Sequence, residues 1–104
     1  MQIVNRYGET INLGLEISNY CVPNKNVYIG VIDIDDGDLY ADLTVWIEPL
    51  PENMVAINVN DWSEAEEFIK KFNLGKSTGK YLTSGYCTYP VYELNMENIK
   101  KYSI

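Results

Sequence analysis

The sequence predicts an α+β fold, in which an antiparallel meander sheet of about five strands is covered on one face by a main helix and a short C-terminal helix. Three observations lead to this prediction. Apolar and polar residues alternate over much of 10–59, as in half-buried strands. After residue 59 the spacing of the apolar residues becomes that of an amphipathic helix. At 104 residues the chain has the usual size of one domain, so we expect a single α+β domain over 1–104.

The first strands follow from the alternation. Residues 10–18 alternate strictly, residues 27–33 are rich in β-branched side chains, and residues 38–48 alternate again. The Asp-Gly pair at 36–37 suits a tight turn with positive φ. We therefore expect 27–33 and 38–48 to pair as an antiparallel hairpin.

Two prolines end this run of strands. Pro49 and Pro51 interrupt the hydrogen-bond ladder because proline has no N–H. Residues 54–59 predict a further short strand, and residues 2–5 predict one more that joins the same sheet.

One main helix is predicted at about 62–73. Asp61 can cap it with Glu64 three residues later, and Gly75 fits a C-terminal stop. Its apolar face is formed by Trp62, Ala65, Phe68, Ile69 and Phe72. This spacing predicts that Trp62 belongs to the core.

The C-terminal part predicts a loop, a strand and a short helix. Residues 75–80 suit a loop, and 86–92 suit an extended segment that Pro90 would place at a sheet edge. Asn95 can cap a terminal helix over 96–102.

The charges are divided unequally along the chain. Residues 1–68 contain thirteen carboxylates and two basic side chains, whereas 69–104 contain two carboxylates and six lysines. A surface of one sign steers oppositely charged partners and repels like ones. We therefore expect a basic partner, no direct binding of nucleic acid and no membrane binding.

The composition argues against several kinds of site. The chain has no histidine, and Cys21 and Cys87 stand far apart without a CxxC motif, so we expect reduced thiols, no metal site and no cofactor. The absence of histidine also removes the commonest general base, so we expect that the protein is not an enzyme. Catalysis by paired carboxylates such as Glu48 and Asp61 is the enzymatic alternative, but their spacing is not distinctive. Residues 1–6 resemble neither a signal peptide nor a membrane span, which favours a cytoplasmic protein.

The acidic turn is the leading candidate site. It fails as a calcium loop, because its sixth and twelfth positions hold Asp38 and Thr44 rather than Gly and Glu. A solvated turn and an acidic recognition hairpin both remain open. As a recognition site, it would use the carboxylates of Asp33, Asp35, Asp36, Asp38 and Asp42 for attraction, with Tyr40 and Trp46 as apolar anchors. Trp46 falls among the polar positions of its alternating strand. It is therefore either a residue that packs against a second helix or an exposed anchor for a partner.

The C-terminal third resembles a family of small uncharacterised proteins from conjugative and phage-like elements of Gram-positive gut bacteria. The likeness lies in residues 65–69, in Leu74-Gly75 and Thr78-Gly79, and above all in 84–94. The family has no established activity, so the resemblance transfers no site residue. It implies a setting in which small acidic proteins, such as anti-CRISPR proteins and nucleic-acid mimics, neutralise host defences.

Together these observations predict a non-enzymatic inhibitor of a basic, nucleic-acid-binding host protein that binds through an acidic sheet and hairpin surface. The alternative is a structural or assembly protein that oligomerises through the tyrosine-rich strand 86–92. Either a monomer or a homodimer fits these expectations.

Overall fold

The structure is a computed structural model that describes residues 1–19 and 27–104, and these ranges form two four-stranded antiparallel sheets and two helices. The α+β class is confirmed, but the single sheet of about five strands is wrong. The expectation for Cys21 lies outside the described residues. In chain order the elements are β1 (Gln2–Val4), β2 (Thr10–Asn19), β3 (Val27–Asp33), β4 (Leu39–Asp42), β5 (Thr44–Val45), β6 (Met54–Ile57), α1 (Ala65–Phe72), β7 (Gly75–Ser84), β8 (Cys87–Leu94) and α2 (Met96–Lys101).

The first sheet contains part of the predicted meander, with strand order β1-β2-β3-β4, whereas the predicted strand 54–59 forms β6 of the second sheet. The turn between β3 and β4 contains Gly37 at φ +76°, as the Asp-Gly pair requires. Beyond the end of β1, the C-terminal residues continue along β2, because Leu15 N donates to Tyr102 O and Ile104 N donates to Leu15 O, both at 2.9 Å. The predicted strands 2–5, 10–18 and 27–33 and their antiparallel pairing are confirmed.

The predicted strand 38–48 divides between the two sheets at Leu43. Leu43 N donates to Ile29 O of the first sheet, whereas Leu43 O accepts from Asn58 N next to the second, each at 3.0 Å. The Thr44 hydroxyl oxygen also accepts from Ile29 N at 3.1 Å. The chain therefore changes sheets here, and alternation alone does not distinguish a bent strand from a straight one.

The second sheet has the order β5-β6-β8-β7 and corrects two predictions. Residues 75–80, predicted as a loop, begin the edge strand β7. The segment 86–92 is not at an edge, because β8 pairs with both β6 and β7. Pro90 is tolerated between them because the β6 pairing ends at Ala56 and Val91, one residue before the proline position is reached.

Both helices are present, with one changed boundary and one changed cap. Helix α1 begins at Ala65 rather than 62, and its N-cap residue Glu64 makes no side-chain capping bond, so the Asp61 cap is wrong. The helix ends at Asn73 in the left-handed conformation, with φ 53°. The predicted cap of α2 is confirmed, since Asn95 Oδ1 accepts from Asn98 N at 3.2 Å.

The core lies between the two sheets and the helices. Its fully buried side chains include Leu13, Leu15, Ile29, Val31, Leu43, Ile57, Ile69, Leu74 and Ile99. Trp62 belongs to this cluster, which confirms its predicted place. No helix in the described ranges is both long and apolar enough to cross a bilayer.

Candidate binding cleft

A cleft of about 590 Å³ opens between the first sheet and the segment that joins β6 to α1. Its apolar floor is formed by Ile3, Ile11 and Ala41, which also pack against the core. The exposed aliphatic side chains of Val4 and Leu39 also line it. Its remaining lining groups are aromatic rings and polar side chains: Tyr7, Tyr40, Trp62, Asn5, Arg6, Asp42, Asn58, Asp61, Ser63 and Glu64. This mixture of an apolar floor with a few convergent polar groups is typical of ligand sites.

A β-bulge places Tyr40 in the cleft. In the β3–β4 ladder Val31 lies opposite Ala41 and Ile32 lies opposite Leu39, so Tyr40 is the extra residue of β4. A bulge redirects the side chain that it contains. The Tyr40 ring packs edge-on against Trp62, with 5.9 Å between ring centroids and 77° between planes. The cleft therefore has an aromatic wall that joins the first sheet to the segment before α1.

Trp62 connects this wall to the core. Its ring lies 5.1 Å from that of Phe68, and the Phe68 ring lies 5.1 Å from that of Phe72, which in turn meets Tyr102 at 5.9 Å. Such tilted ring pairs stabilise packing beyond the area they bury. The aromatic wall is thus supported from behind by packed rings.

The carboxylate of Asp42 is positioned by Tyr28, whose side chain passes over Gly30. The Tyr28 hydroxyl donates to Asp42 Oδ1 at 2.6 Å, and Gly30 lies directly opposite Asp42 in the ladder. A Cβ on Gly30 would lie 2.5 Å from the Tyr28 hydroxyl oxygen. The absence of a side chain at Gly30 therefore lets Tyr28 reach and orient the carboxylate of Asp42.

Asn58 supplies a buried acceptor that has no donor. Its side chain is 5% exposed, its Nδ2 donates to Asp42 O at 3.0 Å, and its Oδ1 has no hydrogen-bond partner among the described residues. Its backbone is fixed on both sides, because its N–H donates to Leu43 O and its carbonyl accepts from Trp62 N. An unsatisfied buried acceptor costs about 1–3 kcal/mol, so this amide marks an unusual point in the cleft.

The rim carries charges of both signs. Asp61 and Glu64 are exposed on one side, and Glu64 Oε2 accepts from the Ser63 hydroxyl at 3.1 Å. Arg6 is exposed on the other side. Over the described part of the chain the only ion pair is Lys76 with Glu93, so Arg6 forms no ion pair with the rim carboxylates.

The hairpin aspartates lie at the end of β3 and in the turn before β4, and they are not among the residues that line the cleft. Asp33 Oδ1 accepts from Asp35 N at 3.0 Å and from Asp36 N at 3.4 Å, which stabilises the turn. Asp35 Oδ2 also accepts from Asn12 Nδ2 at 3.1 Å. The side chains of Asp35, Asp36 and Asp38 are exposed, and Asp33 is half-buried. The turn is therefore an ordered anionic hairpin.

The structure does not bring all the predicted site residues into one site, because Asp33, Asp35, Asp36 and Asp38 are not among the residues that line the cleft. Tyr40 and Asp42 line the cleft itself. Trp46 is 39% exposed and lies in a separate shallow depression beside Glu48 and Leu50, so it does not join them. In the described ranges no three potential metal-ligating side chains group together.

Sequence reasoning missed Asn58 and the rim around it. Asn58 lies within the predicted strand 54–59 and looks like an ordinary polar residue of a strand. Asp61 was predicted as a helix cap and Glu64 as its partner, because spacing alone cannot show that α1 begins later. Only the turn over 58–64 moves these side chains to the cleft.

A family model described as a domain of unknown function, DUF4313, matches residues 14–104. The chain therefore belongs to this family, which agrees with the resemblance to uncharacterised proteins. The match covers every cleft element except β1, the turn after it and the first part of β2. No curated protein and no solved structure matches the chain.

Proposed function

We propose that this member of the DUF4313 family is a non-enzymatic binding protein that engages a positively charged surface of another protein. It would bind through an anionic face, which consists of Asp33, Asp35, Asp36, Asp38 and Asp42. The observation that carries the proposal is that none of these carboxylates forms an ion pair with a described lysine or arginine. Unpaired carboxylates keep their field available to a partner.

The anionic face is compact because the hairpin and β4 are continuous. At a rise of about 3.3 Å per residue, Asp38 and Asp42 lie within about 13 Å of each other. The turn hydrogen bonds and the Tyr28 hydroxyl bond hold the two ends of this face in place. Fixed charges of one sign favour fast association with a basic surface.

The lysines of the C-terminal part are occupied elsewhere or exposed. Lys76 pairs with Glu93 at 3.5 Å, and Lys71 Nζ donates to Gln2 O at 3.2 Å. The remaining lysines make no ion pair in the described ranges. The anionic face thus keeps its charge when the chain is folded.

The proposed partner is a nucleic-acid-binding protein, since such proteins present continuous basic surfaces to phosphate backbones. Occupying that surface would inhibit the partner without any cofactor. The setting that the sequence resemblance implies, an anti-defence protein of the anti-CRISPR type from a mobile element, is part of this proposal.

Charge reversal tests the proposal. The triple variant Asp35→Lys, Asp36→Lys and Asp38→Lys changes exposed side chains of the anionic face. Tagged wild-type protein should capture a basic protein from a lysate of the organism that encodes it, and should release it as salt rises from about 50 mM to about 200 mM. We expect the triple variant to capture none.

A second triple variant provides the control. Glu48→Lys, Glu52→Lys and Glu97→Lys produce the same change in net charge at exposed positions outside the anionic face. This variant should retain most of the capture. Equal losses in both variants, or capture that resists salt, would contradict recognition by the anionic face.

A second candidate function is assembly through the free edge of the second sheet. The edge strand is β7, and its Tyr81 side chain is 65% exposed. An open edge can pair with another strand. Light scattering of the purified chain tests this candidate, because a monomer at all concentrations would leave it without support.

A further inference from the structure

The cleft contains an acceptor that lacks a donor in the folded chain. Asn58 is at least nine-tenths buried, and its Oδ1 is unpartnered while its Nδ2 is bonded to Asp42 O. Buried polar atoms in folded proteins nearly always have a partner. Asn58 therefore points to a donor that arrives with a ligand.

The carboxylates that line the same cleft also require donors. Asp42, Asp61 and Glu64 line the same cleft, and an ionised carboxylate can only accept hydrogen bonds. Tyr28 satisfies one oxygen of Asp42, and Ser63 satisfies one of Glu64. The other carboxylate oxygens have no partner among the described side chains, so a ligand rich in N–H groups suits the cleft.

The aromatic wall adds a preference for positive charge. Tyr40 and Trp62 form its inner part, and Tyr7 lies exposed at its margin. Aromatic ring faces attract cations, and they attract guanidinium groups in particular. A neutral donor would gain less from these rings and nothing from the carboxylates.

We propose that the cleft binds the side chain of an arginine on the partner protein, a proposal that rests on the proposed function and specifies how the basic surface is held. A guanidinium group is planar, carries five N–H donors and sheds water more readily than an ammonium group. With several donors it can serve more than one of the cleft carboxylates at the same time. It would reach the buried Asn58 Oδ1 only after the side chains that cover this atom move aside. The volume of about 590 Å³ leaves room for residues that adjoin the arginine.

Arg6 opposes this binding and provides a distinctive test. It lines the cleft, is exposed and forms no ion pair within the described residues. Three carboxylates outnumber it, so the cleft remains anionic. Arg6→Gln should tighten the binding of a cation by about threefold, because it removes a like charge.

The test uses Nα-acetyl-L-arginine amide, with the citrulline analogue as a neutral probe of the same shape. In ¹H–¹⁵N spectra of the folded protein, the arginine probe should shift the Trp62 indole N–H and the Asn58 side-chain amide in a saturable way. The Trp46 indole lies outside the cleft and should not move. Equal binding of the citrulline probe, or a larger shift at Trp46 than at Trp62, would overturn the proposal.

Neutralising the rim gives the matching variant. Asp61→Asn with Glu64→Gln should weaken arginine binding by about tenfold, whereas Glu48→Gln with Glu52→Gln should leave it unchanged. All four side chains are exposed, so the folding of both variants is expected to survive. Equal affinities in the two double variants would contradict arginine binding in the cleft.

The outcomes separate this proposal from the proposed function. If the hairpin variant loses protein capture but the arginine probe does not bind, the cleft proposal fails and the anionic face stands. If the probe binds in the cleft while the hairpin variant still captures protein, recognition by the anionic face fails.

Discussion

The two sheets of this protein differ in the cross-strand partners of their charged side chains. In the second sheet Lys76 lies directly opposite Glu93 across β7 and β8, and their side chains form an ion pair at 3.5 Å. In the first sheet the residue opposite Asp42 is Gly30, which offers no charge. A lysine on the neighbouring strand therefore pairs with Glu93, whereas Asp42 has a hydrogen bond from Tyr28 but no cation as partner among the described residues. This difference supports placing recognition on the first sheet.

The largest expected effects come from glycines at which the two sheets leave no room. A Cβ on Gly75 would lie 2.7 Å from the backbone oxygen of Glu93, whereas a Cβ on Gly30 would meet the movable hydroxyl of Tyr28. Gly75→Ala should cost about 2–3 kcal/mol of unfolding free energy, because the strands must separate. Gly30→Ala should cost about 1–2 kcal/mol, because Tyr28 can turn away but loses its bond to Asp42.

Urea denaturation measures both costs, and the cleft probe adds a second measurement. Gly30→Ala should also weaken binding of the arginine probe, because Asp42 is no longer held, while Gly75→Ala should not. A larger loss of stability at Gly30 than at Gly75 would show that Tyr28 is as immovable as backbone.

The next effect concerns alkaline pH and a tyrosine of the second sheet. Burial, together with the hydrogen bond that its hydroxyl donates to Glu66 Oε2 at 2.8 Å, raises the pKa of Tyr92 to about 12 from its ordinary value of 10.0. The folded state disfavours ionisation of Tyr92. The stability that Tyr92 contributes is therefore fully present below pH 10. That contribution is lost as the pH rises from 10 to about 12.

Unfolding experiments across this range test the tyrosine. Between pH 9 and pH 12 the unsubstituted protein should lose on the order of 1 kcal/mol of unfolding free energy through Tyr92. Tyr92→Phe should not show this loss, since phenylalanine cannot ionise. Tyr86→Phe, at a fully exposed hairpin tip, serves as the control and should keep the loss. The same alkaline profile in both variants would assign the loss to other groups.

The smallest expected effects compare single charges in the two sheets. Lys76→Gln should lower the unfolding free energy by less than about 0.5 kcal/mol, because exposed ion pairs contribute little. Asp38→Asn should raise it by a similar amount, because it relieves repulsion among neighbouring aspartates. Both differences should shrink at high salt.

Opposite signs in low-salt urea denaturation would support the contrast between the two sheets. A loss of stability in both variants would mean that the hairpin carboxylate has a stabilising partner.

Much of the fold follows from local patterns. The alternation over 10–18 and 27–33 predicts β2 and β3, and the Asp-Gly pair predicts the turn between β3 and β4. These features depend on near neighbours in the chain, so the sequence carries them directly. By contrast, Pro90 lies in β8 between two strands, because β6 ends just where the proline would need a partner.

The candidate site was predicted only in part. The unpaired aspartates of the hairpin and the position of Tyr40 in the same strand were accessible from composition and order. Trp46 lies apart from the cleft, since the chain changes sheets at Leu43 and places Trp46 in a separate depression. Asn58 gave no signal, because an amide within a predicted strand is ordinary until its surroundings are known.

By itself the sequence determined the strand and helix periods, the acidic turn and the uneven distribution of charge, since each depends on residues close together in the chain. Only the tertiary structure decided that the strands divide into two sheets, that the Tyr40 ring meets that of Trp62, and that the Asn58 acceptor is buried without a donor. Those outcomes depend on which distant segments pack together. The cleft between the first sheet and the segment before α1 exists only after the two have packed together.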